Sequence, residues 1–464
     1  MTRTMAALAA AAVLFPAAAP AASRVKDVEL PPFERHSLEN GLTVYLARTG
    51  ELPLVTFRLL VPAGSARDGE GREGLASMTA GMLLKGAGGM TAEEISAAVE
   101  GVGGRLDARA GRDYTIIEGD FLARDLDLGL DLLATALVSP SFPEDEFDRE
   151  KGIVLASLRG IRENPYRLAN REFLRELAAG SPYGDPVGGY VSTVEGLDPS
   201  DLEEFHGRFY RPEGSILAVV GDIEPERLPG MIGKKLGGWK GKVPEMPETV
   251  AGAGGAGRRI VVVDKPGLTQ SQIRIGSPAE PMASPGHFEL TVANSILGGG
   301  FTSRLMDEIR VERGLSYGAR SYLLRYESAG YFGIYTYTKN ETLGETIDVA
   351  LDQVRRIREE RVPAEELEGS KRYISGLFPF EIETDGDIAR WMTELPFYGL
   401  GPEYVEGYRS RIASVSAEEV RDAAIGNFLA GGEVIVLVTD YEKTAPQIES
   451  LGDVEVVKFE DLED

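Results

Sequence analysis

Apolar and polar positions along this chain follow two periods, and the same order of periods is written twice. In the first half, "TFRLLVPAG" (56–64) and "YTIIEGDFL" (114–122) are short runs rich in β-formers and predict strands. Stretches of helical period predict helices at 73–86, 91–102, 124–137 and 143–163. In the second half, "RRIVVVD" (258–264), "SQIRIGS" (271–277), "YGARSYLLRY" (317–326) and "GYFGIYTYT" (330–338) predict strands. Helices fall near 285–297, 303–313 and 341–360, with more beyond. Strands beside strands, then runs of helices, argue for an α+β fold with a largely antiparallel sheet in each half.

The duplication is visible in the residues. "VEGLDPSDLEEFHGRFYRPEGSILAVVGD" (Val194–Asp222) is echoed by "IASVSAEEVRDAAIGNFLAGGEVIVLVTD" (Ile412–Asp440). Each runs cap, amphipathic helix, glycine turn, apolar strand and Asp. Asp198 and Ser416 are the candidate N-caps, each with an acid three residues on, and Ser416 with Glu419 forms a capping-box pattern. A repeat this long is a duplicated domain. Between the copies, "GWKGKVPEMPETVAGAGGAGRR" is rich in Gly and Pro and lacks apolar periodicity. It divides the chain into halves at 30–238 and 258–464, with a linker at 239–257.

Composition narrows the function classes. The chain has 464 residues, with 49 Lys plus Arg against 74 Asp plus Glu, so its formal charge is 49 − 74 = −25. A field of that sign repels nucleic acid and anionic membrane. Residues 1–22 of "MTRTMAALAAAAVLFPAAAPAAS" carry an early Arg, an apolar run too short to span a bilayer, and small residues suited to cleavage. They read as a signal peptide for a soluble periplasmic protein, with release from the cell as the alternative. There is no cysteine, which excludes a lipid-anchored lipoprotein, a disulfide and a cysteine nucleophile. No Ser stands in a G-x-S-x-G elbow beside a His. The three histidines, His36, His206 and His287, are not paired at metal-binding spacing.

One segment, "GGGFTSRLMDEIRVERGLSYGARS" (Gly298–Ser321), resembles the C-terminal signature of the M16 (pitrilysin-like, inverzincin) metallopeptidases. "LENGLTVYLAR" (38–48), "GSARDGEGREGLASMTAGMLLKGAG" (64–88), "FDREKGIVLASLRGIRENP" (147–165) and "RFYRPEGSILAVVGDI" (208–223) extend the resemblance over nearly the whole chain, in order. In size and two-half form it is similar to the short, processing-peptidase-like branch. The resemblance implies two homologous domains arranged as a clamshell, each a mostly antiparallel sheet with helices packed on one face.

Active members of that family carry H-x-x-E-H on a helix after the first strands, with two His one turn apart on zinc and the Glu as general base. Laying the motif on "GLASMTAGMLLKG" puts Ser77, Ala80 and Gly81 at these positions. The distal ligand position falls on Ser157, while the supporting acid seven residues earlier is present as Glu150. The expectation is a structural helix with Leu75, Met78, Met82 and Leu83 toward the core, and no catalytic zinc in this chain. Zinc is expected in a partner subunit instead.

The second half keeps what the family uses beside the metal. By resemblance, Arg310 and Tyr317 are the Arg/Tyr pair, one gripping a substrate carbonyl and one donating to the developing oxyanion. Read from the residues alone, Arg310 is an ion-pair partner of Glu308 or Glu312, and Tyr317 a packing residue at a strand start. Family members add an extended peptide to a sheet edge. The corresponding edge is "GGRLDARAGRDYT", where Asp107-Ala108 replaces a more usual Asn-Ala. Gly298, Gly299 and Gly300 are candidates for a loop touching substrate, or for a turn and N-cap.

Two functions remain. One is a non-catalytic subunit of a heteromeric zinc peptidase, paired with an H-x-x-E-H chain and acting on short unstructured peptides. The other is a pseudo-peptidase that binds peptide or scaffolds, with no part in catalysis.

Overall fold

The computed structural model describes residues 27–50, 52–246 and 257–462. The signal segment and most of the linker therefore lie outside the described residues. Each half holds a six-stranded mixed sheet. In the first, the strands run Phe33–Ser37, Thr43–Arg48, Ile216–Gly221, Leu54–Val61, Thr115–Leu122, Arg105–Ala110 from edge to edge. In the second they run Val454–Lys458, Arg259–Asp264, Val434–Thr439, Gln270–Ala279, Gly330–Lys339, Ala319–Arg325, the same order. Most neighbours are antiparallel, and two of the three parallel pairs fall at matching places: Thr43–Arg48 with Ile216–Gly221, and Arg259–Asp264 with Val434–Thr439. The outermost strand breaks the symmetry. Phe33–Ser37 folds back as an antiparallel hairpin, whereas Val454–Lys458 arrives from the far end of the chain and lies parallel.

The repeat read from the sequence recurs in the caps. Asp198 accepts the N–H groups of Ser200 and Asp201, and Ser416 accepts that of Glu419, each with the reciprocal bond of a capping box. Predicted helices appear at Leu75–Met82, Ala92–Glu100, Leu126–Val138, Glu144–Glu163 and Leu343–Glu359. The run expected at 303–313 is a short α-turn, Arg304–Met306, that widens into a π-helical turn over Asp307–Glu312. The strand expected from Tyr317 begins at Ala319.

Along Leu54–Val61 alternate residues part to opposite faces, as strand geometry requires. Val55, Phe57, Leu59 and Val61 join the core under the helices of their own half. The other face receives a helix from the opposite half. Ile388, Ala389 and Met392 of the Asp385–Phe397 helix pack on Tyr45, Ala47, Ile216, Ala218 and Val220 of the first sheet. Reciprocally, Phe173 and Leu177 of the Pro165–Leu177 helix pack on Val261, Val434 and Val436 of the second. Each exchanged helix is held by a buried arginine at the same place in the repeat. Arg58 stands opposite Ala218 in the first sheet, and Arg274 stands opposite Val436 in the second. Arg58 donates to Thr393 Oγ1 at 3.2 Å and Glu394 Oε1 at 2.9 Å, besides Glu118 of its own sheet. Arg274 donates to Asn170 Oδ1 at 2.6 Å and the Tyr166 carbonyl at 3.2 Å. Gly276 admits the Phe173 ring: a Cβ there would lie 2.6 Å from it and 2.2 Å from the Phe332 carbonyl oxygen. Among the described residues no helix is long and apolar enough to cross a membrane.

Candidate functional site

The Leu75–Met82 helix begins after Gly74, whose φ of 100° suits glycine. Its cap comes from upstream: the Asp68 carboxylate accepts the N–H groups of Gly74 at 2.8 Å and Ala76 at 2.7 Å. Burial pushes the Asp68 pKa up to about 8, and the two N–H bonds offset that only in part. Leu75, Met78, Met82 and Leu83 are buried, as their spacing predicts. Ser77 and Gly81, one turn apart, share the half-buried face, and Ala80 is fully buried.

Ser157 is exposed on the Glu144–Glu163 helix. Glu150 of that helix does reach the face that carries Gly81. A Cβ on Gly81 would lie 4.0 Å from its Oε1, and Lys85 Nζ stands 3.6 Å from its Oε2. One carboxylate, already paired with a lysine, and three positions without imidazole or carboxylate do not fit zinc. Among the described residues no three His, Asp or Glu side chains gather at metal-binding distances.

The histidines have other surroundings. His36 pairs with Glu34 at 2.9 Å near the surface. His206 Nε2 sits 3.0 Å from the Leu137 carbonyl oxygen, and burial pushes its pKa down to about 4. His287 is buried against the Tyr404 hydroxyl, and burial pushes it far down.

A cavity of about 480 Å³ opens beside this helix, and Gly81, Lys85 and Glu150 line it together with Asp107 and Ala108. These last two lie on Arg105–Ala110, the outermost strand of the first sheet, whose far side has no partner strand among the described residues. The structure thus gathers Gly81, Glu150, Asp107 and Ala108 around one space. Ser77, Ala80 and Ser157 do not line it. Asp107 Oδ2 accepts from Arg105 Nε at 2.8 Å on the exposed strand surface.

The second cluster lies in the other half. Arg310 rides the Asp307–Glu312 turn with its guanidinium carbon 4.4 Å from the centroid of the Tyr317 ring and 5.0 Å from that of Phe301. The expected ion pairs do not form. Glu308 faces Arg313 and Arg356, and among the described residues no carboxylate comes within 4.0 Å of Arg310. Nor is Tyr317 a packing residue, since it is 75% exposed. Phe301, 65% exposed, was not singled out from the sequence, although an aromatic directly after a glycine triplet is a readable signal.

The glycine triplet divides its work. Gly298 is structural: a Cβ there would lie 2.2 Å from the Ser321 nitrogen. Gly299 is exposed and lines two cavities, whereas Gly300 is buried at the turn into Phe301. No hydrogen bond, ion pair or ring contact among the described residues joins Arg310 or Tyr317 to the first-half cluster.

Two family models match this chain in succession. "Insulinase (Peptidase family M16)" covers residues 43–189, and "Peptidase M16 inactive domain" covers 196–374. The chain belongs to the M16 peptidase family. Among relatives, an uncharacterized zinc protease of Streptomyces coelicolor is 24% identical over 84% of this chain and 86% of its own. One of Mycobacterium leprae is 25% identical over 78% and 81%. The crystal structure of a peptidase M16 inactive domain from Pseudomonas fluorescens superposes with a TM-score of 0.81 at 25% identity, covering 88% of this chain and 97% of the other. A protease from Helicobacter pylori has the same TM-score at 21% identity, covering 88% and 100%, a likeness of fold.

Proposed function

We propose that this M16 chain is the zinc-free subunit of a heteromeric periplasmic peptidase, supplying Arg310, Tyr317 and half of a peptide chamber to a partner bearing H-x-x-E-H. The observation that carries the reading is the state of Arg310. Although the chain has 74 acids, among the described residues none stands beside its guanidinium, which lies against two exposed rings and has no hydrogen-bond partner for its in-plane N–H donors. A fork held flat in this way fits the carbonyl oxygens of an extended peptide. The Tyr317 hydroxyl, on an exposed ring, is placed to donate to an oxygen that gains negative charge during attack on the scissile carbonyl. The free edge at Asp107-Ala108 and the cavity behind it give an extended peptide a backbone to pair with. Short unstructured peptides suit a chamber closed by two such chains.

The test is hydrolysis of a quenched fluorescent peptide by this chain alone, by an H-x-x-E-H M16 chain alone, and by their mixture, with zinc present throughout. Activity only in the mixture, strongly reduced by Tyr317→Phe, supports the proposal. A partner equally active without this chain refutes it and leaves a peptide-binding or scaffold protein.

A further inference from the structure

A cavity of about 380 Å³ lies in the second half, beneath the helix that ends in the glycine triplet. Its volume falls in the range of ligand pockets, roughly 300–1,000 Å³. Phe378, Trp391, Tyr404 and Tyr408 wall it, with Phe378 and Tyr408 stacked 3.9 Å apart. Tyr373 and Leu377, both nearly half exposed, form an apolar rim. The charge within is not neutral. Glu381 is taken by Arg390 at 3.0 Å, which removes both from the balance.

Arg325 remains. It is the last residue of the Ala319–Arg325 strand and shares the helix-facing side with Ala319 and Leu323. No hydrogen bond or ion pair holds its guanidinium among the described residues, and Glu280, which acts on it, stays beyond 4.0 Å. An unpaired cation among aromatic walls is costly to desolvate unless an anion arrives. We propose that this cavity binds an aromatic or large aliphatic group carrying a carboxylate, such as the C-terminal residue of a peptide, with Arg325 holding the carboxylate and the aromatic walls the side chain. This site needs no partner chain and stands or falls apart from the assembly proposed above.

Trp391 reports on it, since the other of the two tryptophans, Trp239, is buried in the first half. Tryptophan emission of the whole chain is titrated with N-acetylphenylalanine, with its amide, and with a tetrapeptide of three alanines ending in phenylalanine. The expected result is saturable quenching by the acid and the tetrapeptide, and at least about tenfold weaker binding of the amide. Arg325→Met abolishes the preference for the acid. Equal binding of acid and amide, or no binding of either, overturns the proposal, and the wild-type comparison stands even if the variant fails to fold. Binding of the acid without the tetrapeptide overturns the peptide as source in favour of a free amphipathic acid.

Discussion

Tyr317→Phe separates a chemical role from a structural one because the structure gives the hydroxyl nothing to hold. Its oxygen makes no hydrogen bond among the described residues, and the ring is 75% exposed. Phenylalanine keeps the ring over the Arg310 guanidinium, so folding stability should change by less than about 0.5 kcal/mol. In the proposed complex the same change would remove one fixed donor from the oxyanion, a loss of about 2.7–4 kcal/mol, or roughly 10²–10³ in kcat. KM should hardly move, because the bond strengthens only as charge develops. Arg310→Lys should behave differently. It keeps the charge but loses the fork and the flat fit between Phe301 and Tyr317, so its defect belongs mainly in KM. Phe301→Leu removes one of the two aromatic faces, about 0.5–1 kcal/mol, and should raise KM about two- to fivefold. The assay is steady-state hydrolysis of a fluorogenic peptide by the mixed chains, with thermal melts of each variant alone. Full activity of the Tyr317→Phe complex, or a loss that merely follows a loss of folded protein, would refute the reasoning.

Other outcomes follow from the burial pattern. Replacing Arg58 or Arg274 with Met strands polar groups on the exchanged helices and should cost about 2–4 kcal/mol by urea unfolding. The exchange also ties the halves, so single-tryptophan variants reporting from Trp239 and Trp391 should unfold at one midpoint. Ala80→Glu, which restores the family's base at a fully buried position, should destabilise the chain by at least about 2 kcal/mol, seen as a lower melting temperature. Asp68 makes stability depend on pH. Its folded pKa is raised above the unfolded value, so between the two the folded state keeps a proton that the unfolded state has released. Stability should therefore decline as pH rises from about 4 toward about 8, and Asp68→Asn should flatten that decline in urea titrations.

The period of apolar residues gave the strands and long helices of each half because both are local facts. The caps at Asp198 and Ser416, each with an acid three positions on, sit where the spacing puts them. What the period could not show is which sheet a helix belongs to. The Pro165–Leu177 helix follows Glu144–Glu163 after a single residue, Asn164, yet crosses to the other half's sheet. Its polarity is that of any amphipathic helix, and residues far along the chain, Gly276, Arg274 and the valines of the second sheet, explain its place. The same limit applied at the site. Spacing alone made Glu308 and Glu312 the natural partners of Arg310, whereas the wide turn of Asp307–Glu312 leaves the guanidinium to two rings.

That arrangement bears on how the two clusters differ. Ser77, Gly81 and Ser157 lie half-buried or exposed, while the core contacts of their helices come from Leu75, Met78, Met82, Phe147 and Leu158. Small residues at these three positions leave those contacts intact, so the fold alone does not require metal ligands there. Nor would the fold preserve Phe301, Arg310 and Tyr317. Two exposed rings bury little apolar area in the chain itself, and a cation–π contact at such a surface is worth only about 0.5–1 kcal/mol. Exposed aromatics around an unpaired guanidinium gain their full interaction when a second molecule covers them and excludes water. Apart from the fully buried Ala80, the residues of both clusters place small demands on the fold, and only the second cluster holds groups able to bind and polarise a carbonyl. The complex proposed above would give those groups a carbonyl to meet, and a scaffold alone would not.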